Sequence, residues 1–195
     1  LVAIGRQPVT DTLGIDAVGL TPSEAGFFET DAQARTDLEH VFAVGDVAGE
    51  PMLAHQASAE GLVAADAAAG GDARLDSLAT PAVVFTDPEI GTVGMTEAEA
   101  VDAGFSPAVG KMPLQASGRA LTMDDTDGFV RLVIDTDTGF VLGGQIVAPE
   151  ASELIAELGL AIELGATAED IAATVHTHPT LSEAIQEAAE SARGQ

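Results

Sequence analysis

The chain has 195 residues, enough for one large or two small domains, and its 32 acidic residues outnumber 7 basic ones for a formal charge of −25. Only one of the basic residues is a lysine, Lys111. Nothing here could neutralise a phosphate backbone or hold an anionic bilayer surface, so neither nucleic acid nor membrane is expected as a partner. With 46% of residues apolar, the chain is no disordered acidic tail.

The absence of cysteine excludes a disulfide framework and a redox dithiol within these residues. No signal peptide and no apolar run of bilayer-spanning length is read in the sequence. A foldable core under a dense, lysine-poor acidic skin points to a halophile's cytoplasmic protein, where salt screens the self-repulsion.

Taken in order, residues 1–5 form an apolar run ending in Gly5, the pattern of a buried strand that stops at a loop. A short helical segment is predicted over residues 13–20. Residues 41–44, Val-Phe-Ala-Val, predict a second strand rich in β-branched and aromatic side chains, with Gly45 and Asp46 at its carboxyl end. Ligands bind at such ends in open α/β sheets. Glycine lets backbone approach a ligand, and a carboxylate accepts hydrogen bonds from sugar hydroxyls. A Gly-Asp pair alone also reads as a plain turn. A long Ala-rich helix is predicted from Met52 to about Ala69, and Gly70-Gly71 break it.

The linker that follows sets the expected boundary between domains at residues 1–78 and 79–195. Beyond it, strands are predicted over residues 82–89, 91–95, 107–115, 129–135 and 141–147. A helix capped by Thr96 follows the second of these, and helices over residues 151–164 and 168–175 close the series. Strands followed by helices, without strand–helix alternation, predict an α+β domain.

The densest chemistry lies at His176-Thr177-His178-Pro179-Thr180-Leu181-Ser182-Glu183. Pro179 restrains the backbone after His178. Thr180 reads as an N-cap with Glu183 three residues on, a capping box that opens an Ala-rich helix. A carboxylate near one imidazole nitrogen fixes the tautomer and favours the imidazolium, the arrangement of a general acid–base. The same pair also reads as a capped surface helix start. No second cluster of ligands accompanies the His-x-His, so no metal is expected.

Residues 176–184, His-Thr-His-Pro-Thr-Leu-Ser-Glu-Ala, resemble the C-terminal signature of the flavoprotein disulfide reductases, nearest to their dihydrolipoamide dehydrogenase branch. Val-Phe-Ala-Val-Gly-Asp at 41–46, with Pro-Met-Leu-Ala-His at 51–55, is similar to that family's second FAD-binding motif. Residues 1–8 resemble the last strand of its NAD-binding domain. Residues 80–195, including Thr86-Asp87-Pro88-Glu89 and Gly118-Arg119-Ala120, resemble its dimerisation domain.

The resemblance implies an α+β dimerisation domain preceded by the C-terminal part of an α/β FAD/NAD-binding region. It implies FAD and NAD as cofactors, a homodimer, and the lipoyl domain of a 2-oxo-acid dehydrogenase complex as partner. By the same resemblance His178 is the acid–base for a dihydrolipoamide thiol, Glu183 its orienting partner and His176 a supporting residue. Asp46 would hold the ribityl chain, Met52, Leu53, Ala54 and His55 would line the flavin, and Gly5 would back onto the dinucleotide. The Gly-x-Gly-x-x-Gly fingerprints and the redox dithiol are missing. The expectation is therefore a C-terminal portion, inactive by itself. Two alternatives stand beside it: an NADPH-linked disulfide reductase, or an isolated oligomerisation module.

Overall fold

The alternating apolar stretches of the C-terminal half pair into one antiparallel sheet. In the computed structural model, which describes residues 1–194, the strands are β1 (Ala82–Val84), β2 (Glu89–Gly94), β3 (Pro107–Pro113), β4 (Phe129–Asp135) and β5 (Val141–Ala148). Their order is β1-β2-β5-β4-β3. They belong to the second of two units, Leu1–Asp76 and Ser77 onward.

Two helices cover one face of this sheet, and the register shows why they can. Val93, Gly144, Leu132 and Gly110 lie opposite one another across four strands, so they share a face. A Cβ on Gly144 would sit 2.3 Å from Leu158 Cδ1 of α4 (Ala151–Glu163). One on Gly110 would sit 1.9 Å from the Ala188 carbonyl oxygen of α6 (Glu183–Arg193). The two glycines thus create the grooves into which the helices settle. Helix α4 fills its groove with Ile155, Leu158 and Ile162, a stripe at helical spacing. Helix α6 presents Ala184, Ala188, Ala189 and Ala192 with Ile185, small side chains that let its backbone come close. Leu114, Leu132, Ile146, Ile155, Leu158 and Ile185 are fully buried in this core, each contributing about 1.5–3 kcal/mol.

Shorter helices join these parts. Thr96 and Glu99 form the expected capping box at α2 (Glu97–Asp102). A second such box, Thr167 with Asp170, starts α5 (Ala168–Ala173). Helix α3 (Gly118–Met123), capped by the Ser117 hydroxyl, was not expected from the sequence.

The first unit holds α1 (Ala54–Ala68), two single 3-10 turns at Ile15–Val18 and Gly45–Val47, and a small core of Leu20, Phe28 and Ala43. Two predictions are corrected here. Residues 1–5 form no strand and are exposed. Residues 41–44 make one isolated bridge, Arg35 to Phe42, in place of a strand. A strand needs a partner edge, and among the described residues, residues 34–36 supply a short one to residues 41–43, through Thr36 N–H to the Val41 carbonyl (3.0 Å) and Ala43 N–H to the Ala34 carbonyl (3.1 Å). The helical segment read over 13–20 contracts to the 3-10 turn. Met52 and Leu53 precede α1, with Leu53 extended at its N-cap. No helix among the described residues is long and apolar enough to cross a membrane. Among them, no group of three or more His, Asp or Glu side chains is placed to hold a metal.

Candidate functional site

Helix α5 stops where Thr174 turns extended, and its hydroxyl donates back to the Asp170 carbonyl at 2.8 Å. The chain then crosses to α6 as a loop that carries both histidines of the dense motif. His176 is its anchor. The ring lies 2.9 Å from the Thr174 carbonyl oxygen through Nδ1 and 2.9 Å from Glu157 Oε1 of α4 through Nε2. Its side chain is only 6% exposed. Burial disfavours the charged ring, but the Glu157 hydrogen bond, the Thr174 carbonyl, the Glu157 charge and the Gln186 side chain together outweigh it, raising the His176 pKa.

His178 is the opposite case, with a side chain 78% exposed. Its Nδ1 lies 2.8 Å from Glu183 Oε1. An ionised carboxylate only accepts, so Nδ1 carries the hydrogen and Nε2 is left as the basic nitrogen. The other oxygen, Glu183 Oε2, accepts the Thr180 backbone N–H at 2.8 Å. That backbone bond, followed by the one from His178, holds the Glu183 carboxyl below its ordinary range. The carboxylate is thus clamped between loop and ring.

The predicted cap at this point is corrected. Ser182, and not Thr180, is the residue preceding α6. The Thr180 hydroxyl donates to the Thr177 carbonyl (2.7 Å) and, with its one hydrogen so used, accepts from the Ser182 hydroxyl (2.9 Å). Only the carboxylate half of the capping box forms. That half is the one that orients the ring.

The second cluster lies in the first unit. Gly45 has φ +73°, a conformation that favours glycine, and a Cβ there would lie 3.0 Å from Ala57 Cβ of α1. Its N–H donates to Glu60 Oε2 at 2.6 Å, while Glu60 Oε1 accepts from the Gln56 amide at 3.0 Å. Helix α1 therefore pins the Gly45–Val47 turn that presents Asp46. Arg6 reaches the Asp46 carboxylate at 3.9 Å and also donates to the Met52 carbonyl. Asp46 is exposed, Met52 is buried, Leu53 is the N-cap of α1, and Ala54 and His55 open the helix. Gly5, at φ +120°, adjoins Arg6.

The structure therefore brings His178 onto Glu183, and Asp46 beside the α1 start. Sequence reasoning missed Glu157, Glu60 and Arg6. Glu157 lies 19 residues from His176, and no local pattern joins them. Glu60 left one signal: it sits four residues after Gln56 on the predicted helix, and so on the same face.

Comparison with known proteins decides what this arrangement belongs to. Residues 80–189 match the family "Pyridine nucleotide-disulphide oxidoreductase, dimerisation domain". The chain belongs to that family. Residues 1–61 match the further pyridine nucleotide-disulphide oxidoreductase domain. The chain is similar to a dihydrolipoyl dehydrogenase from Halobacterium salinarum, 67% identical over 100% of this chain and 41% of the relative. The Haloferax volcanii relative is 64% identical with the same coverage, and that of Geobacillus stearothermophilus is 52% identical. The chain thus spans about 41% of the length of the curated relatives it matches.

Among solved structures it resembles LpdA of Mycobacterium tuberculosis, with TM-score 0.88 and 33% identity over 96% of this chain and 41% of that one. It also resembles the flavoprotein disulfide reductase RclA of Escherichia coli, with TM-score 0.90 and 28% identity over 96% of this chain and 44% of that one. The chain thus joins part of a pyridine nucleotide-disulphide oxidoreductase domain to an α+β dimerisation domain. Its acidic, halophile-like composition fits the haloarchaeal relatives.

Proposed function

We propose that this chain is the C-terminal part of a flavoprotein that oxidises protein-bound dihydrolipoamide to lipoamide with NAD⁺. The observation that carries the reading is the His178–Glu183 pair, an exposed imidazole whose Nδ1 is held at 2.8 Å by a clamped carboxylate. The dihydrolipoyl dehydrogenases to which the chain is 52–67% identical support it.

His178 Nε2, left basic by the Nδ1 contact, takes the proton of a dihydrolipoamide thiol. The thiolate so formed is the nucleophile of disulfide exchange. The imidazolium is stabilised by Glu183 and later returns its proton. The reacting dithiol lies outside this cysteine-free sequence.

A flavin suits the first unit. Asp46 is exposed for a ribityl hydroxyl, Glu60 fixes its turn, and the start of α1, with Met52, Leu53, Ala54 and His55, adds the positive end of a helix dipole. When bound, FAD would supply the two-electron link between thiols and a nicotinamide. Gly5 and its neighbours would adjoin the NAD-binding part.

The protein acts as a homodimer, to which each copy brings a dimerisation domain. Exposed Leu160, Leu164 and Val175 border a groove of about 470 Å³ on that domain, apolar surface suited to a second copy. The partner is a lipoyl domain of a 2-oxo-acid dehydrogenase complex, and the setting is a salty cytoplasm.

The test is anaerobic. The intact flavoprotein in high salt receives dihydrolipoamide while its visible flavin absorption is followed. Bleaching that NAD⁺ reverses is the expected result. A flavin that stays oxidised with dihydrolipoamide yet bleaches with NADPH would move the assignment to another disulfide reductase.

A further inference from the structure

His176 has two partners that can only accept. The Thr174 carbonyl lies against Nδ1 and the Glu157 carboxylate against Nε2, each at 2.9 Å. A neutral imidazole carries one N–H and satisfies one of them. Both bonds exist only if the ring is an imidazolium. The side chain is 6% exposed, so water cannot readily take the place of either partner.

The surrounding charge agrees. Glu157 on α4, Asp170 on α5 along the same groove, and Glu183 on α6 are all carboxylates, Gln186 on α6 adds a neutral amide, and His178 lies two residues away on the loop itself.

We infer that His176 is a positioning residue for His178: as an imidazolium bridging Glu157 and Thr174, it ties the loop to α4 and holds the catalytic ring in place. The inference rests on the reading of His178 as acid–base. The His178 side chain is 78% exposed and its hydrogen bond among the described residues is to Glu183, so its placement depends on how firmly the two-residue span from His176 is held. When His176 loses its proton, one ring nitrogen directs a lone pair at an acceptor, so only one of the two bonds persists and the tie weakens. Misplacing a reacting group by about 1 Å costs on the order of a hundredfold in rate.

Glu157→Gln separates charge from connection. A glutamine amide can accept from an N–H or donate to a bare nitrogen, so the tie survives in the neutral ring as well. The intact flavoprotein, wild type, Glu157→Gln and Glu157→Ala, is mixed with dihydrolipoamide and flavin reduction is timed from about pH 6 to about pH 10. The ratio of E157Q to wild-type rates should rise from about one near pH 7 to on the order of tenfold near pH 9.5, and E157A should be slow throughout. A ratio independent of pH, or an E157A variant as fast as wild type, would overturn the inference.

If dihydrolipoamide does not reduce the wild-type flavin, the substrate reading fails and the ring still reports. The His176 imidazole signal, followed by NMR in isotope-labelled protein and assigned with His176→Gln, should titrate at higher pH in wild type than in E157Q. Equal titration would overturn the inference independently of the substrate.

Discussion

His178 Nδ1 lies 2.8 Å from Glu183 Oε1, and this one contact decides which ring nitrogen is basic. Because Glu183 also accepts the Thr180 N–H, its carboxylate cannot swing away without breaking a loop hydrogen bond. Glu183→Gln keeps an accepting oxygen and loses the charge that stabilises the imidazolium. In the intact protein it should slow dihydrolipoamide-driven flavin reduction roughly tenfold, and Glu183→Ala roughly a hundredfold. Stopped-flow absorbance gives both numbers.

The same carboxylate sets an acid limit. The Thr180 N–H first, and the His178 ring second, hold the Glu183 pKa below its ordinary 4.5. A depressed folded pKa gives stability that is fully present above the unfolded value and is lost as pH falls through the folded one. Loop order should therefore persist from neutrality down to about pH 4.5 and fade below it. Backbone amide exchange at Thr180, followed against pH, should show protection lost in that acid range in wild type. Glu183→Gln should show no such step.

Glu60 is predicted to matter for flavin retention although it lies 15 residues from the Gly45 N–H that it accepts. Removing a buried or half-buried hydrogen-bond partner leaves a donor unsatisfied at about 1–3 kcal/mol. Glu60→Ala should weaken FAD binding by roughly that amount, and Glu60→Gln, which can still accept, should stay near wild type. Equilibrium dialysis of the apoprotein against FAD measures the difference.

Gly110 faces the Ala188 carbonyl so closely that a Cβ would fall 1.9 Å from it. Gly110→Ala should push α6 off the sheet and cost about 1–3 kcal/mol or more, as overpacked cores do. Since α6 carries Glu183, thermal unfolding and thiol-dependent activity should both suffer. A Gly118→Ala control, with open space around it, should leave both near wild type.

The net charge of −25 makes a salt requirement measurable. Screening length falls from about 10 Å at 0.1 M to about 3 Å at 1 M salt, so self-repulsion fades across that range. The unfolding temperature should climb steeply between these concentrations and then flatten. A flat dependence would contradict the halophilic reading.

The second unit was largely legible in the sequence because its signals are local. Alternation marks β4 and β5, and Thr96 with Glu99 announces its own helix. The first unit was read less well. Residues 1–5 and 41–44 have strand composition, yet a strand is defined by its partner, and composition does not reveal whether this chain supplies one. The site divides in the same way. His178 and Glu183 were found together because five residues and a proline confine them. Thr180 was misassigned as the cap because α6 begins two residues later, after Ser182, a boundary that spacing does not reveal. Glu157 stayed hidden because its pairing with His176 arises only when α4 and the loop are packed together.

The most direct measurement of the central claim is a single-turnover reduction of the intact flavoprotein by dihydrolipoamide, wild type against His178→Gln. The reduction rate should be lower by about 10²- to 10⁴-fold in the variant, with flavin content unchanged. A variant that is reduced as fast as wild type would show that His178 does not take the thiol proton.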